Sequence, residues 1–261
     1  MPEMLEESAE VDVFVHVPKT AGTSLRSAVV NHYGPKNVWI YREAVRGFYR
    51  ADLKMLDNDN EKRHSLKSYT TRLPAPLIEA IIHARSLRAT PKPVAFERAS
   101  AIIGHFTVDE FNEVSSARPS RTFTVVREPL ERMVSHYRYV RQHAQDNPLI
   151  KGWKNSSNPS LPFAAFALDA RVQNFQTSYT GTDPSRFDQI GVTENIADFM
   201  QHTGLIQEGD EAPKLREAVS PILNDASLID PGFRREFAEF HSLDYTFYVT
   251  ALGNQALAGA T

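Results

Sequence analysis

A lysine, a glycine and three hydroxyl side chains stand close together in the segment HVPKTAGTS, residues 16–24. The apolar, β-branched run VDVFVHV at 11–17 leads into this segment and predicts a buried strand. Helix-forming residues follow, so the segment is predicted to be a loop that ends at a helix N-terminus, where free backbone N–H groups and the helix dipole attract an anion. With the charge of Lys19 added, these residues predict a phosphate-binding loop.

The order of the residues distinguishes this loop from a Walker A motif. Walker A requires G-x-x-x-x-G-K-[ST], whereas here Lys19 precedes Gly22. Gly22 would let the backbone approach a ligand closely. The alternative is an ordinary capped turn with an exposed lysine. The full nine-residue string behind a buried strand favours the binding loop.

A second group of polar residues lies in VVREPLERMVSHY, residues 125–137. Arg127 ends a predicted strand at 121–127, and Ser135 follows eight positions later, inside a predicted helix at 129–144 with proline in its first turn. A guanidinium fork and a hydroxyl together grip a phosphate well. Arg132 is interpreted as a structural ion-pair residue.

His105 directly follows a short apolar strand predicted at 100–104. A neutral imidazole can remove a hydroxyl proton near neutral pH, so His105 is a candidate general base. The alternative is a structural histidine held by hydrogen bonds. His16 lies within the first strand and His136 beside Ser135 on the helix. The remaining histidines are predicted at helical or surface positions: His32, His64, His83, His143, His202 and His241.

Strand-like and helix-like segments alternate along the chain, which predicts an α/β fold with a mostly parallel sheet flanked by helices. Thr23 or Ser24 is predicted to cap the first helix, which would run to about Tyr33. Further predictions are a helix at 74–89, a loop at 151–162 and a mostly helical C-terminal third. Residues 1–10 are predicted to form a disordered tail before a single domain at 11–261.

Composition excludes several classes of protein. The 261 residues carry a net charge of −3, which gives no global indication of nucleic-acid binding. The absence of cysteine excludes disulfides, cysteine-bound zinc and a catalytic thiol, and no metal-ligand spacing is visible. The acidic start is unlike a signal peptide, and apolar runs fall short of the roughly 20 residues that span a membrane. These features predict a cytoplasmic protein without a transmembrane segment.

The segment HVPKTAGTS resembles the 5′-phosphosulfate-binding loop of the sulfotransferases, in the branch that includes heparan sulfate 2-O-sulfotransferase and other carbohydrate sulfotransferases. The resemblance implies the P-loop-kinase-like sulfotransferase fold and 3′-phosphoadenosine-5′-phosphosulfate (PAPS) as sulfuryl donor. In that family the loop lysine contacts the bridging oxygen of the phosphosulfate, and its neighbours bind the 5′-phosphate. The cofactor-binding residues implied here are Lys19, Thr20, Ala21, Gly22, Thr23 and Ser24.

The resemblance extends to the other two groups and covers roughly residues 11–250. It implies that Arg127 and Ser135 bind the 3′-phosphate and that His105, in a Gly-His pair between the two cofactor motifs, is the general base. The segment 174–181 resembles a family loop near the cofactor, and 244–248 also matches. Lys19 would act in catalysis as well as in binding, by neutralising charge on the leaving oxygen, and no metal would be required.

The implied reaction is transfer of the sulfuryl group to the free hydroxyl of a glycan or small glycoconjugate. Basic residues at 62–67 and 85–98 would line a groove for an anionic glycan or simply form a solvated helix face. Trp39 and Trp153 would stack on a sugar or pack in the core. Two alternatives remain: a nucleotide-dependent phosphotransferase on a related fold, and a non-catalytic nucleotide-binding relative.

Overall fold

The centre of the fold is a six-stranded sheet with two layers of helices. The computed structural model describes residues 10–42, 47–51, 99–114, 120–143, 160–207, 210 and 230–258. The strands are β1 (Val11–His16), β2 (Val38–Arg42), β3 (Gly47–Arg50), β4 (Ala101–Gly104), β5 (Ser120–Val126) and β6 (Gln189–Val192). Their order across the sheet is β3-β2-β4-β1-β5-β6.

All neighbouring strands run parallel except the edge pair of β2 and β3, which is antiparallel. β1 is central and is flanked by β4 and β5. These three strands are the ones that the sequence predicts. Its apolar, β-branched residues suit a strand that is covered on both faces. The predicted α/β fold with a mostly parallel sheet is confirmed.

The helices are α1 (Gly22–Tyr33), α2 (Val108–Val114), α3 (Pro129–His143), α4 (Phe163–Ala167), α5 (Thr177–Thr180), α6 (Ile196–His202), α7 (Pro231–Phe240) and α8 (Ser242–Ala258). Short 3-10 turns occur at 170–172, 184–186 and 193–195. The helices predicted after β1 and β5 are confirmed. The predicted helix at 74–89, most of the loop at 151–162 and nearly all of the predicted tail lie outside the described residues.

Alternate residues of β1 feed two separate core layers. Val13 and Val15 pack with Phe106, Phe175 and Phe247 on one face. Phe14 packs on the other face, in a cluster that also contains Leu25, Ala28, Phe123 and Phe199. A third cluster joins α3 to α4 and α7. The strands that carry the candidate site are therefore held rigidly from both sides.

Three strands are missing from the sequence-based prediction, namely β2, β3 and β6. They contain five, four and four residues, and none carries a long β-branched run. Short strands depend on pairing with neighbours more than on their own preference. The described part of the C-terminal third is mostly helical, as predicted, but it also supplies β6.

Candidate active site

The three groups of residues singled out in the sequence meet at one edge of the sheet. Lys19 follows β1, His105 follows β4 and Arg127 follows β5, and these are the three adjacent central strands. The register aligns Val15 with Gly104 and His16 with Val125, so the three strands end at nearly the same level. The carboxyl edge of an open parallel sheet is where such folds bind ligands.

The loop after β1 contains two residues in a backbone conformation that is unusual for side chains other than glycine. Lys19 has φ 75° and Ala21 has φ 61°, both in the left-handed region. Between them Thr20 is fully buried, and its hydroxyl donates to the carbonyl of Val17 at 2.8 Å. Each left-handed residue costs about 1–3 kcal/mol, and such strain concentrates at functional sites. Left-handed residues in a loop are a common feature of backbone sites that bind anions.

Helix α1 begins earlier than the sequence predicts. Its N-cap is Ala21, without a side-chain cap, and both Ser24 and Leu25 donate their backbone N–H to the carbonyl of Ala21. The prediction of Thr23 or Ser24 as N-cap is therefore wrong, because left-handed Ala21 already turns the chain into the helix. A helix that begins without a capping side chain favours an anion near its first N–H groups.

Gly22 is required by a contact with His16 rather than by its backbone angles. A Cβ at Gly22 would lie 1.5 Å from Nε2 of His16. Gly22 does not have a positive φ. The His16 ring therefore fills the space beneath the first turn of α1. Burial lowers the pKa of His16 well below its usual value, and the charges of Arg26 and Lys19 act in the same direction.

We expect Gly22→Ala to destabilise the fold by about 1–3 kcal/mol, because the added methyl group overpacks the His16 ring. Without this contact, alanine would stabilise the helix relative to glycine, because it has the higher helix propensity. Urea unfolding measures the change. The double variant with His16→Ala is the control, and its destabilisation should be smaller than the sum of the two single effects. Additive effects would show that the two residues are not in this contact.

Lys19 points toward α3. Its ammonium lies 4.4 Å from the centre of the Tyr139 ring, a cation–π distance. Burial lowers the pKa of Lys19, and the nearby charges of Arg127 and Arg132 lower it further. Three cations from two separate sequence motifs thus act on one region. Like charges at such a site are stabilised when an anion binds among them.

Arg127 stands between the end of β5 and the start of α3. Its side chain is 30% exposed and pairs with Glu131, with Nη2 3.3 Å from Oε2. Ser135 is partly buried about two turns into α3. Glu128 caps this helix, since its carboxylate accepts the N–H of Glu131 at 2.7 Å. Its other oxygen accepts the hydroxyl of Tyr245 at 2.7 Å.

Arg132 is a buried cation rather than the predicted ion-pair residue. Its guanidinium lies 4.1 Å from the centre of the Phe175 ring and is 1% exposed. Within the described residues, Nε and Nη1 have no hydrogen-bond partner, and no carboxylate is within salt-bridge distance. Burial lowers its pKa to about 10, opposed by the charge of Asp244. The prediction is wrong because this position on α3 faces the core.

His105 is oriented by the backbone of the neighbouring strand. Its Nδ1 lies 2.8 Å from the carbonyl oxygen of His16, and the two rings stack with centroids 4.3 Å apart. A carbonyl only accepts, so Nδ1 carries the proton and Nε2 keeps its lone pair. Burial lowers the pKa of His105, which favours the neutral ring. A neutral imidazole with a free Nε2 is the form that a general base needs.

Gly104 allows β4 to bring His105 to this position. A Cβ at Gly104 would lie 2.5 Å from the Cβ of Tyr41 and 2.7 Å from its carbonyl oxygen. Tyr41 is the residue paired with Gly104 on β2. A larger residue before His105 would therefore push the two strands apart. The Gly-His pair is explained here by packing of the sheet.

Sequence reasoning missed a set of buried polar residues that hold the segment after α4. His241 accepts the N–H of Asn174 at Nδ1 (3.1 Å) and donates from Nε2 to the carbonyl of Ala167 (2.8 Å). It is 1% exposed, so a surface position for His241 is wrong. Asp244 is buried nearby. These contacts join residues about 70 positions apart, and the only sequence signal was the family resemblance at 174–181 and 244–248.

The chain belongs to the sulfotransferase family, whose sequence profile matches residues 7–191. The crystal structure of mouse sulfotransferase SULT7A1 complexed with PAP is similar to it, at 11% identity over 97% of this chain and 89% of that one, with a TM-score of 0.48. A sulfotransferase from Alicyclobacillus acidocaldarius is 13% identical over 94% of this chain and 96% of that one, with a TM-score of 0.36. No curated protein matches the chain.

Family membership confirms the sulfotransferase class that the loop and arginine motifs predict. The described residues contain no group of three or more His, Asp or Glu side chains arranged to hold a metal ion. No helix within the same residues is long and apolar enough to cross a membrane.

Proposed function

We propose that this protein transfers the sulfuryl group of PAPS to a hydroxyl of a carbohydrate acceptor, within a single domain at residues 11–261. The observation that carries the proposal is the meeting of Lys19, His105 and Arg127 at the carboxyl ends of three adjacent strands. In a chain of the sulfotransferase family, this arrangement supports His105 as the base, Arg127 as a ligand of a phosphate and Lys19 as a cation beside them. The cytoplasmic location expected from the sequence stays a prediction.

The residues at this edge fit a nucleotide with phosphates at both ends. The segment Lys19–Ser24 would hold the 5′ side, since its strained backbone and uncapped helix start favour an anion. Arg127 and Ser135 would hold the 3′-phosphate. The buried guanidinium of Arg132, whose Nε and Nη1 have no hydrogen-bond partner among the described residues, adds positive potential at this site. A polyanionic ligand offsets the cost of burying these cations together.

When bound, PAPS supplies an activated sulfuryl group, and transfer yields a sulfate ester and adenosine 3′,5′-bisphosphate. His105 would accept the proton of the acceptor hydroxyl at Nε2, because Nδ1 is occupied by the His16 carbonyl. The new oxygen–sulfur bond forms as the bond from sulfur to the phosphate oxygen breaks. Lys19 would stabilise the negative charge that this oxygen keeps. Positioning and electrostatics carry most of such catalysis, as in phosphoryl transfer.

The carbohydrate acceptor is supported by the resemblance to the heparan sulfate 2-O-sulfotransferase branch. The basic segments 62–67 and 85–98 and Trp153 lie outside the described residues, so the groove they would form stays a prediction. Trp39 is partly buried against the core, which favours packing over sugar stacking. Transfer from radiolabelled PAPS to glycans and to phenols, with radiolabelled ATP in parallel, tests the proposal. Activity with ATP alone would indicate a phosphotransferase.

We expect Arg127→Ala to weaken binding of adenosine 3′,5′-bisphosphate by about 1.5–3 kcal/mol, the range for a hydrogen bond to a charged group. Adenosine 5′-monophosphate lacks the 3′-phosphate, so its affinity should fall much less. Isothermal titration calorimetry measures both affinities.

Arg121→Ala is the matched control for this substitution. Arg121 lies at the amino end of β5, where its guanidinium donates to Asp12 at 2.8 and 2.6 Å, far along the strand from the candidate site. Its loss should lower stability while bisphosphate affinity stays the same. If Arg127→Ala weakened both nucleotides equally, Arg127 would not recognise the 3′-phosphate.

A further inference from the structure

The side chain of Gln176 clamps the backbone of Arg127. Its Oε1 accepts the N–H of Arg127 at 2.9 Å, and its Nε2 donates to the carbonyl of Arg127 at 2.8 Å. Gln176 is 1% exposed. The backbone N–H and carbonyl of Arg127 are thus both satisfied by the buried side-chain amide of Gln176, which is 49 positions away in the sequence.

Arg127 lies where regular structure offers its backbone no support. The pairing of β5 with β6 ends at Val126 and Val192, and α3 begins at Pro129. Neither a strand ladder nor a helix therefore fixes the orientation of Arg127. The two hydrogen bonds from Gln176 take that role, because a buried N–H and carbonyl left unsatisfied would cost stability.

Gln176 is itself held in place by α8. Asp244 accepts the backbone N–H of Gln176 at 3.1 Å and the N–H and hydroxyl of Thr177 at 2.8 and 3.0 Å. Asp244 is 2% exposed, so these bonds are formed in the interior. A carboxylate that receives several N–H bonds locks the turn before α5 rigidly. The clamp on Arg127 thus rests on a fixed support.

We propose that Gln176 is a positioning residue for recognition of the 3′-phosphate. It does not contact the nucleotide. It fixes the peptide of Arg127 so that the guanidinium leaves the sheet edge in the direction of the ligand, with Glu131 as its partner when no phosphate is present. The inference rests on the proposed function, in which Arg127 binds that phosphate.

Gln176→Leu tests the inference, because leucine fills much of the same volume without polar groups. We expect adenosine 3′,5′-bisphosphate to bind about tenfold more weakly, and adenosine 5′-monophosphate to be affected much less. In the double variant with Arg127→Ala, the loss should be no larger than for Arg127→Ala alone, since Gln176 acts through Arg127. Calorimetric titration of the full chain measures each affinity.

Gln176→Glu supplies a second readout that a purely structural role would not change. An ionised carboxylate only accepts, so it cannot donate to the Arg127 carbonyl, whereas a protonated carboxyl both donates and accepts. Burial raises the pKa of such a carboxyl. The affinity of this variant relative to the wild type, measured at each pH, should therefore recover as the pH falls. The comparison with wild type cancels the titration of the phosphate itself.

Thr177→Val is the matched control, because Thr177 bonds to Asp244 in the same turn but does not touch Arg127. It should lower the melting temperature and leave the ratio of the two nucleotide affinities unchanged. Additive losses of affinity in the double variant, or equal losses for both nucleotides, would overturn the role of Gln176. These outcomes would leave the proposed 3′-phosphate site itself untouched. A wild-type protein that does not distinguish the two nucleotides would overturn the proposed 3′-phosphate site, and this inference with it.

Discussion

Replacing His105 by alanine should lower the rate of sulfuryl transfer by about 10²–10⁴-fold, the usual contribution of a positioned acid–base group. The affinity for adenosine 3′,5′-bisphosphate should stay nearly unchanged, because a base acts on the acceptor. Nε2 is the nitrogen of His105 that keeps a lone pair, since Nδ1 donates to the His16 carbonyl. Transfer rate, bisphosphate affinity and melting temperature are measured on the same preparation.

The pH profile gives this prediction a second test. A base works when neutral, so kcat/KM of the wild type should rise with pH through the pKa of His105. Burial lowers that pKa, which places the rise below the reference value of about 6.5. The rise should be absent in His105→Ala and retained in His202→Ala, a variant at an exposed position on α6. A stable His105→Ala protein with full activity would assign the base to another residue.

Lys19→Ala should lower turnover by about 10²–10³-fold, as expected when one donor to the charge developing in the transition state is lost. Binding of the bisphosphate product should suffer less, because the loop backbone and Arg127 remain. The lysine is held over Tyr139 beside two arginines, where a single charge has a large effect. Single-turnover transfer and product titration separate the two quantities.

Lys36→Ala is the control for this effect, since Lys36 is exposed in the turn after α1 and should leave turnover unchanged. Lys19→Arg keeps the charge with a different shape and should retain part of the activity. Near-normal turnover of Lys19→Ala would remove the lysine from the mechanism. A loss of affinity as large as the loss of turnover would limit its role to binding.

The sequence predicted the central sheet and its edge well because the signals are local. β1 is an apolar, β-branched run and β5 ends in one, and each is followed by a helix within a few residues. Lys19 and Arg127 follow those strands within three residues, so their shared edge follows from parallel topology alone. The α1 cap could not be predicted in this way, since it depends on left-handed backbone at Ala21.

The supporting residues could not be predicted because their partners are remote. Gln176 meets Arg127 across 49 positions, and Asp244 meets Thr177 across 67. Arg132 looks like a surface charge in the sequence, yet α3 turns it against Phe175 in the interior. No local pattern distinguishes a buried arginine or glutamine from an exposed one. Only the packing of α8 onto the sheet reveals these roles.

The helix α8 lies beyond residue 191, where the match to the family profile ends. Phe247 and Ala251 nevertheless belong to the core layer beneath β1, and Asp244 supports the turn that holds Arg127. Part of the support for Arg127 thus comes from a stretch of sequence beyond the residues that match the family profile. A substitution at Asp244 would therefore shift the setting of Arg127 from the far end of the chain, with every residue at the edge of the sheet unchanged.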